Sequence, residues 1–182
     1  MRSIIGVAAR VLIALGLVWV PGGAQHQDAR GGQARPAIAN AEDAVSRIVA
    51  EVEPLEHQCF DDVNHERTAR DIKALEWDDG LQEIARAYSR RMAEEGFFSH
   101  TDPDGNTVRD RARKAGVSWQ MIGENLGYER GYISPVATVV TSWMESTGHR
   151  HNVLEPEFEQ AAIGAWISTD GTVYFTEIFL KE

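Results

Sequence analysis

A single cysteine, Cys59, sets the first limit on this chain. No intrachain disulfide can form, so the fold must be held by buried apolar surface and hydrogen bonds alone. The chain has 182 residues, enough for one domain with a full hydrophobic core even after an N-terminal segment is removed. Hydrophobic residues at 43% and charged residues at 25% place it among globular chains. Its five tryptophans are large anchors for such a core. Phe60 and Val63 flank Cys59, so the thiol is expected in the core and not free at the surface.

Residues 1–24 read as a secretory signal. Arg2 and Arg10 give the positive start, and Val11 to Val20 is an apolar run. Pro21-Gly22-Gly23-Ala24 then breaks the helix and offers small residues for cleavage. The run is shorter than the roughly 20 residues that span a bilayer. The expectation is a secreted protein, extracellular or periplasmic, that is not integral to a membrane once the signal is cleaved. Losing Arg2 and Arg10 takes the net charge from -10 to about -12. So acidic a chain is repelled by nucleic acid and by anionic membrane surfaces. Arg109, Arg111 and Arg113 form the densest basic cluster, and a solvated helix face accounts for it.

Residues 25–41, rich in Gly, Ala, Gln and Arg, read as a flexible linker. Val45, Ile48, Val49 and Val52 then stand at helical spacing, and Pro54 is expected to end or kink that helix. A second helix is predicted over about 58–73, with Phe60, Val63 and Arg67 on one face. A third is predicted from an N-cap at Asp78 or Asp79 to Gly96, with Leu81, Ile84, Ala85, Tyr88 and Met92 as its stripe. Asp102-Pro103-Asp104-Gly105 is a turn, and Thr107 with Asp110 resembles a capping box for a short helix to Lys114. Residues 119–133, with three glycines, read as irregular chain or short strand. Ser134-Pro135 opens a helix with Val136, Val139, Val140 and Trp143 on its apolar stripe and Gly148 as its end. The tail turns to period two and β-formers, with Asp170-Gly171 as a hairpin signal between 161–167 and 173–180.

No nucleophile elbow, phosphate loop or dinucleotide-binding glycine pattern occurs. His65-Glu66 begins like a zinc-protease motif, but Ala69 stands where the second histidine would be. What remains is a set of histidines and glutamates near loops. His100 lies past a helix end, Glu124 lies in a glycine-containing stretch, and Glu145 and His149 are four apart. That spacing puts Glu145 and His149 on one face if the helix continues that far. Two imidazoles and a carboxylate can bind zinc or another divalent cation and leave a position for water. The same groups can do acid–base chemistry, or simply cap helices and brace loops.

The order of short motifs is more informative than any one of them. Asn64-x-x-Arg67, Leu75-x-Trp77, Phe98-Ser99-His100 and Gly123-Glu124-Asn125-Leu126 come first. Trp143-Met144-x-Ser146-x-Gly148-His149-Arg150-x-Asn152-x-Leu154, Ile163-Gly164 and Tyr174-Phe175-Thr176 follow. This resembles the CAP superfamily (cysteine-rich secretory proteins, antigen 5 and pathogenesis-related 1), also called SCP-like extracellular proteins, in its bacterial, disulfide-free branch. The resemblance covers about 58–182 and leaves 42–57 as an N-terminal helical extension. It implies an α+β fold, a three-layer α-β-α sandwich with a small antiparallel sheet between helices. It also implies a groove lined by His100, Glu124 and His149. The second family glutamate falls at Ser146, with Glu145 one position early, so either residue is a candidate for the groove. The resemblance further implies zinc or another divalent cation held through His100 and His149.

Two functions follow as expectations. One is a secreted binding module for a lipid, sterol or protein ligand. Trp119, Tyr128 and Tyr132 are candidate apolar contacts, although core packing also accounts for Trp119. The alternative is a metal-dependent, peptidase-like hydrolase in which His100 and His149 ligate the metal and Glu124 acts on water.

Overall fold

The structure is a computed structural model, and it describes the main chain of residues 36–182 and side chains from residue 41. The expected signal, residues 1–24, and residues 25–35 of the expected linker lie outside the described residues, whereas 36–41, read as flexible linker, are the start of a helix that continues into the apolar stripe from Val45.

The elements run α1 Pro36–Thr68, β1 Glu76–Trp77, α2 Asp79–Glu95, α3 Val108–Lys114, β2 Met121–Glu129, α4 Pro135–Glu145, α5 Thr147–Val153, β3 Gln160–Ile167 and β4 Val173–Lys181. The strands form one sheet in the order β1-β3-β4-β2. β2, β3 and β4 are antiparallel, and the two-residue β1 adds parallel to β3. Alternate strand residues face opposite helical layers. Ile163, Phe175 and Phe179 pack with Cys59, Phe60 and Val63 of α1 and with Trp143 of α4. Ala162 and Ile178 pack against Leu81 and Ala85 of α2. This is the α-β-α sandwich. Both faces of the hairpin are covered, so β3 and β4 are buried along nearly their whole length. The period of two in the tail therefore separates two buried faces, not core from solvent.

The expected break at Pro54 does not occur. One 33-residue helix runs through it. The inward stripe explains why: Val52, Glu56, Cys59, Phe60, Val63 and Arg67 continue the phase begun at Val45 and Ile48, while Pro54 is exposed. Burial of a continuous face outweighs the lost hydrogen bond of one proline. The helix stops at Thr68, short of 73. Asp71 adopts a left-handed φ of 58°, and the Ile72 N–H reaches back to the Arg67 carbonyl at 3.1 Å.

The α2 boundaries follow the sequence. Asp78 accepts from the Leu81 N–H at 2.7 Å, and Gly96 closes the helix at φ 70°. The outer side of β3 is closed from α1. Glu56 is fully buried and accepts from the Ala165 N–H, from Gln82 Nε2 and from Arg86 Nε, each at 2.8 Å. One carboxylate thus ties both helical layers to a sheet edge. Cys59 is buried, as its neighbours predict. The α3 start is also as expected, with Asp110 accepting from the Thr107 N–H at 3.0 Å.

Candidate functional site

The glycines of 119–133 do not mark irregular chain. They lie on and beside β2, a full nine-residue strand, so Glu124 stands on a strand and not in a loop. Gly123 and Gly127 are there for close packing. A Cβ at Gly127 would overlap Val139 of α4, and one at Gly123 would lie 2.9 Å from the Phe158 ring. Only Gly131, at φ 76°, serves a turn.

Glu124 points into the α2 layer, with its side chain only 3% exposed. Both of its oxygens are engaged. Oε1 is 2.8 Å from His100 Nδ1, and Oε2 accepts from the Arg111 guanidinium. A carboxylate accepts, so His100 donates from Nδ1, and its Nε2 is left for another partner. His100 is held on the loop after α2. There the buried Asp102 accepts from the main-chain N–H of Asp104 at 3.0 Å and of Asn106 at 2.7 Å, and from Arg91 at 2.7 Å. This is the expected turn, fixed by a salt bridge.

Arg111 was read in the sequence as part of a solvated basic face. It turns inward instead, and its guanidinium carbon sits 3.3 Å from the Tyr88 ring centroid. Arg109 and Arg113 are exposed, as expected. The signal that could have found Arg111 is its position one residue before Ala112, the buried residue of α3. Tyr88 donates its hydroxyl to the Ser99 carbonyl, next to His100.

His149 comes from the opposite layer, and its ring centroid is 6.5 Å from that of His100. Burial, and secondarily the nearby His100, holds the His149 imidazole below its ordinary pKa, so it is neutral at pH 7. The expected shared helix for Glu145 and His149 does not form. α4 ends at Glu145, Ser146 is extended at ψ 123°, and α5 begins at Thr147 rather than being stopped at Gly148. The break settles the choice between Glu145 and Ser146. Ser146 lines the cavity with His149, whereas Glu145 is exposed and faces away beside Ala137 and Thr138. The structure therefore brings His100, Glu124, His149 and Ser146 together and leaves Glu145 out.

Beneath the histidines lies a polar layer. Asn152 donates to the Glu124 carbonyl at 3.2 Å and to Asn125 Oδ1 at 3.0 Å. Asn125 donates at 3.2 Å both to the His149 carbonyl and to Glu177 Oε2. The motif asparagines thus fix the second histidine's main chain to the sheet. Glu177 is fully buried, and its other oxygen has no partner. Burial pushes its carboxyl up to about 8, against the opposing pull of Asn125 and Arg67. A raised folded-state pKa means that the native state holds a proton which the unfolded state releases from about pH 4.5 upward. The associated stability is full below that pH and is lost as pH rises toward 8. The expected slope is at most about 1.4 kcal/mol per pH unit. Urea unfolding from pH 5 to 8.5 should show it, and Glu177→Gln should flatten the curve. Parallel curves for the two proteins would mean that Glu177 is ionised in the native state.

A cavity of about 550 Å³ opens beside His149, between β2 and α4. Tyr128 and Tyr132 line it and are exposed, at 53% and 59%. Trp119 is elsewhere, half-buried against the α2 layer. Among the described residues, no helix is long and apolar enough to cross a membrane. Nor does any group of three or more His, Cys, Asp or Glu side chains converge as a metal cage. The groups that suit a cation are the two imidazoles. One is oriented by a carboxylate in the manner common for metal-binding histidines. With bonds of about 2.0–2.1 Å to zinc, the rings would have to close on each other by roughly 1 Å.

Known proteins resemble the chain in sequence and in fold. The pattern of the cysteine-rich secretory protein (CAP) family matches residues 60–179. The chain is 32% identical over 129 residues to the uncharacterized protein YkwD of Bacillus subtilis, covering 71% of this chain and 49% of that protein. It thus spans about half the length of that curated relative. Among solved structures, it is similar to an extracellular protein containing an SCP domain from Bacillus anthracis. The TM-score there is 0.62 at 27% identity, covering 71% of this chain and 41% of that one. An outer surface protein of Borrelia burgdorferi shares the fold with a TM-score of 0.62 at 24% identity, covering 68% of this chain and 89% of that one.

Proposed function

The chain belongs to the cysteine-rich secretory protein family, and from that premise we propose that it is an exported binding module. Its groove takes a ligand beside His100 and His149, and the two imidazoles hold a divalent cation such as zinc. Export is supported by the apolar N-terminal run and by the extracellular and outer-surface relatives.

The observation that carries the binding reading is the state of Glu124. A hydrolase built on this site needs a carboxylate free to take a proton from water. Here both oxygens are committed, one to His100 and one to Arg111, and the side chain is almost wholly buried. Glu124 orients the imidazole through one oxygen, and Arg111 pairs with the other. A cation at this place would supply a Lewis-acidic point for anionic or carbonyl groups of the ligand.

Calorimetric titration of the purified protein with zinc tests the reading. One equivalent should bind, and either His100→Ala or His149→Ala should remove it. Glu124→Gln should weaken binding about 10–100-fold without abolishing it, as expected for a residue acting through its histidine. Equal zinc binding by parent and histidine variants would end the cation proposal.

A further inference from the structure

Helices beyond the outer edge of the sheet reach it at two carbonyls, and part of that edge stays open. β2 is an outer strand. The carbonyls of Glu124 and Leu126 accept from Asn152 Nδ2 at 3.2 Å and from Trp143 Nε1 at 2.9 Å, and both donors belong to helices beyond the edge. The even-numbered residues of β2 therefore direct their main-chain groups away from β4. α4 and α5 thus cap the Leu126 and Glu124 carbonyls. Tyr128 is the next residue in that alternation. Among the described residues, neither its N–H nor its C=O has a partner on the outer side, and it lines the cavity.

The surroundings of Tyr128 also alternate. On the α2 side, the exposed Phe98 packs edge-on against the Tyr128 ring at 4.9 Å, with Tyr174 at 6.0 Å on its other flank. Glu129 points to the opposite face of the sheet, toward the cavity wall that Ser142 and Ser146 also form. It makes no hydrogen bond or ion pair among the described residues. Partial burial raises its carboxyl, which marks a negative group short of a counter-charge.

We propose that the ligand of this groove is an extended peptide that adds as a short strand at Tyr128, laying an aromatic side chain on Phe98 and Tyr128 and the neighbouring basic side chain on Glu129. A free donor and acceptor on one residue are what an antiparallel strand completes. Because strand side chains alternate, aromatic and basic groups in consecutive positions reach the two faces. The unpaired Glu129 selects a cationic side chain by charge complementarity. The inference rests on the binding reading of the groove but not on its cation.

The probe is the capped hexapeptide acetyl-(Lys-Phe)3-amide, titrated against the whole protein by calorimetry. The alternating sequence satisfies either register. Binding should fall about tenfold when the lysines are replaced by glutamates, and to a similar degree in Glu129→Gln. Backbone N-methylation at alternate residues should cost about tenfold in one phase and little in the other, because only one set of N–H groups faces β2. Tetra-N-acetylglucosamine tests whether the aromatic rim takes a glycan instead. No binding of the hexapeptide, equal binding of its glutamate version, or tight binding of the glycan alone overturns the proposal. The histidine variants separate the two readings. Peptide binding that survives in a parent protein unable to hold zinc removes the cation and leaves the peptide. Zinc binding without peptide binding does the reverse.

Discussion

Replacing Gly164 by alanine is expected to remove about 4 kcal/mol or more of stability, a large share of the roughly 5–15 kcal/mol that holds a domain folded. α2 crosses β3 so closely at this point that a Cβ would overlap the main chain of Ala85 and Arg86. Backbone cannot swing aside as a side chain can, so the helix must lift. Lifting it opens the seam of Leu81, Ala85, Ala162 and Ile178, all of which are buried. It also pulls Ser89 from the Gly164 carbonyl and from Thr176, both at 2.8 Å. Loss of the site would follow, because α2 carries Tyr88 and leads into the His100 loop. Urea unfolding followed by circular dichroism measures the effect. A variant within 1 kcal/mol of the parent would show that α2 can ride higher on the sheet than this packing allows.

Arg67→Met is expected to cost about 4 kcal/mol as well, for a different reason. Arg67 is fully buried in the last turn of α1, and its guanidinium donates to four carbonyls. They belong to Lys73 at 2.9 Å, Val153 at 2.7 Å, Glu155 at 2.9 Å and Phe158 at 3.4 Å. Three of these lie where α5 gives way to β3. Methionine fills much of the volume but donates nothing, so the carbonyls are left buried and unpaired. The segment that Arg67 pins is the end of the helix bearing His149, so zinc binding should weaken along with stability. Arg67→Lys should recover only part of the loss, since an ammonium cannot span carbonyls fixed for a planar fork. Full recovery by lysine would show that charge, and not geometry, is what matters at this position.

How far the sequence carried the reading depends on the range of each signal. The caps of α2 at Asp78 and Gly96, the Asp102 turn and the Thr107–Asp110 pair are interactions within a few residues, and they form as read. The Asp170-Gly171 hairpin was legible too, although the connection is longer than two residues, with the Ser168 N–H bonded to the Thr172 carbonyl at 2.9 Å. His100, Glu124 and His149 were picked out by the order of motifs, and they meet. Local rules misled at Pro54, where the chain's own phase of apolar residues outweighed a helix breaker. They misled again at Gly123 and Gly127, where small size serves packing and not flexibility.

By itself, then, the sequence determined that this is a disulfide-free sandwich of helices and strands and which side chains converge on its groove. Periodicity, caps and motif order are written in neighbouring residues. Only the tertiary structure decided that Arg111 turns inward to claim Glu124, that Ser146 and not Glu145 faces the cavity, and that Tyr128 is left uncovered beside that cavity on the outer strand. Each of these depends on a partner brought from another element, or on the angle at which two helices meet. No spacing along the chain encodes such contacts, because they exist only once the layers have packed.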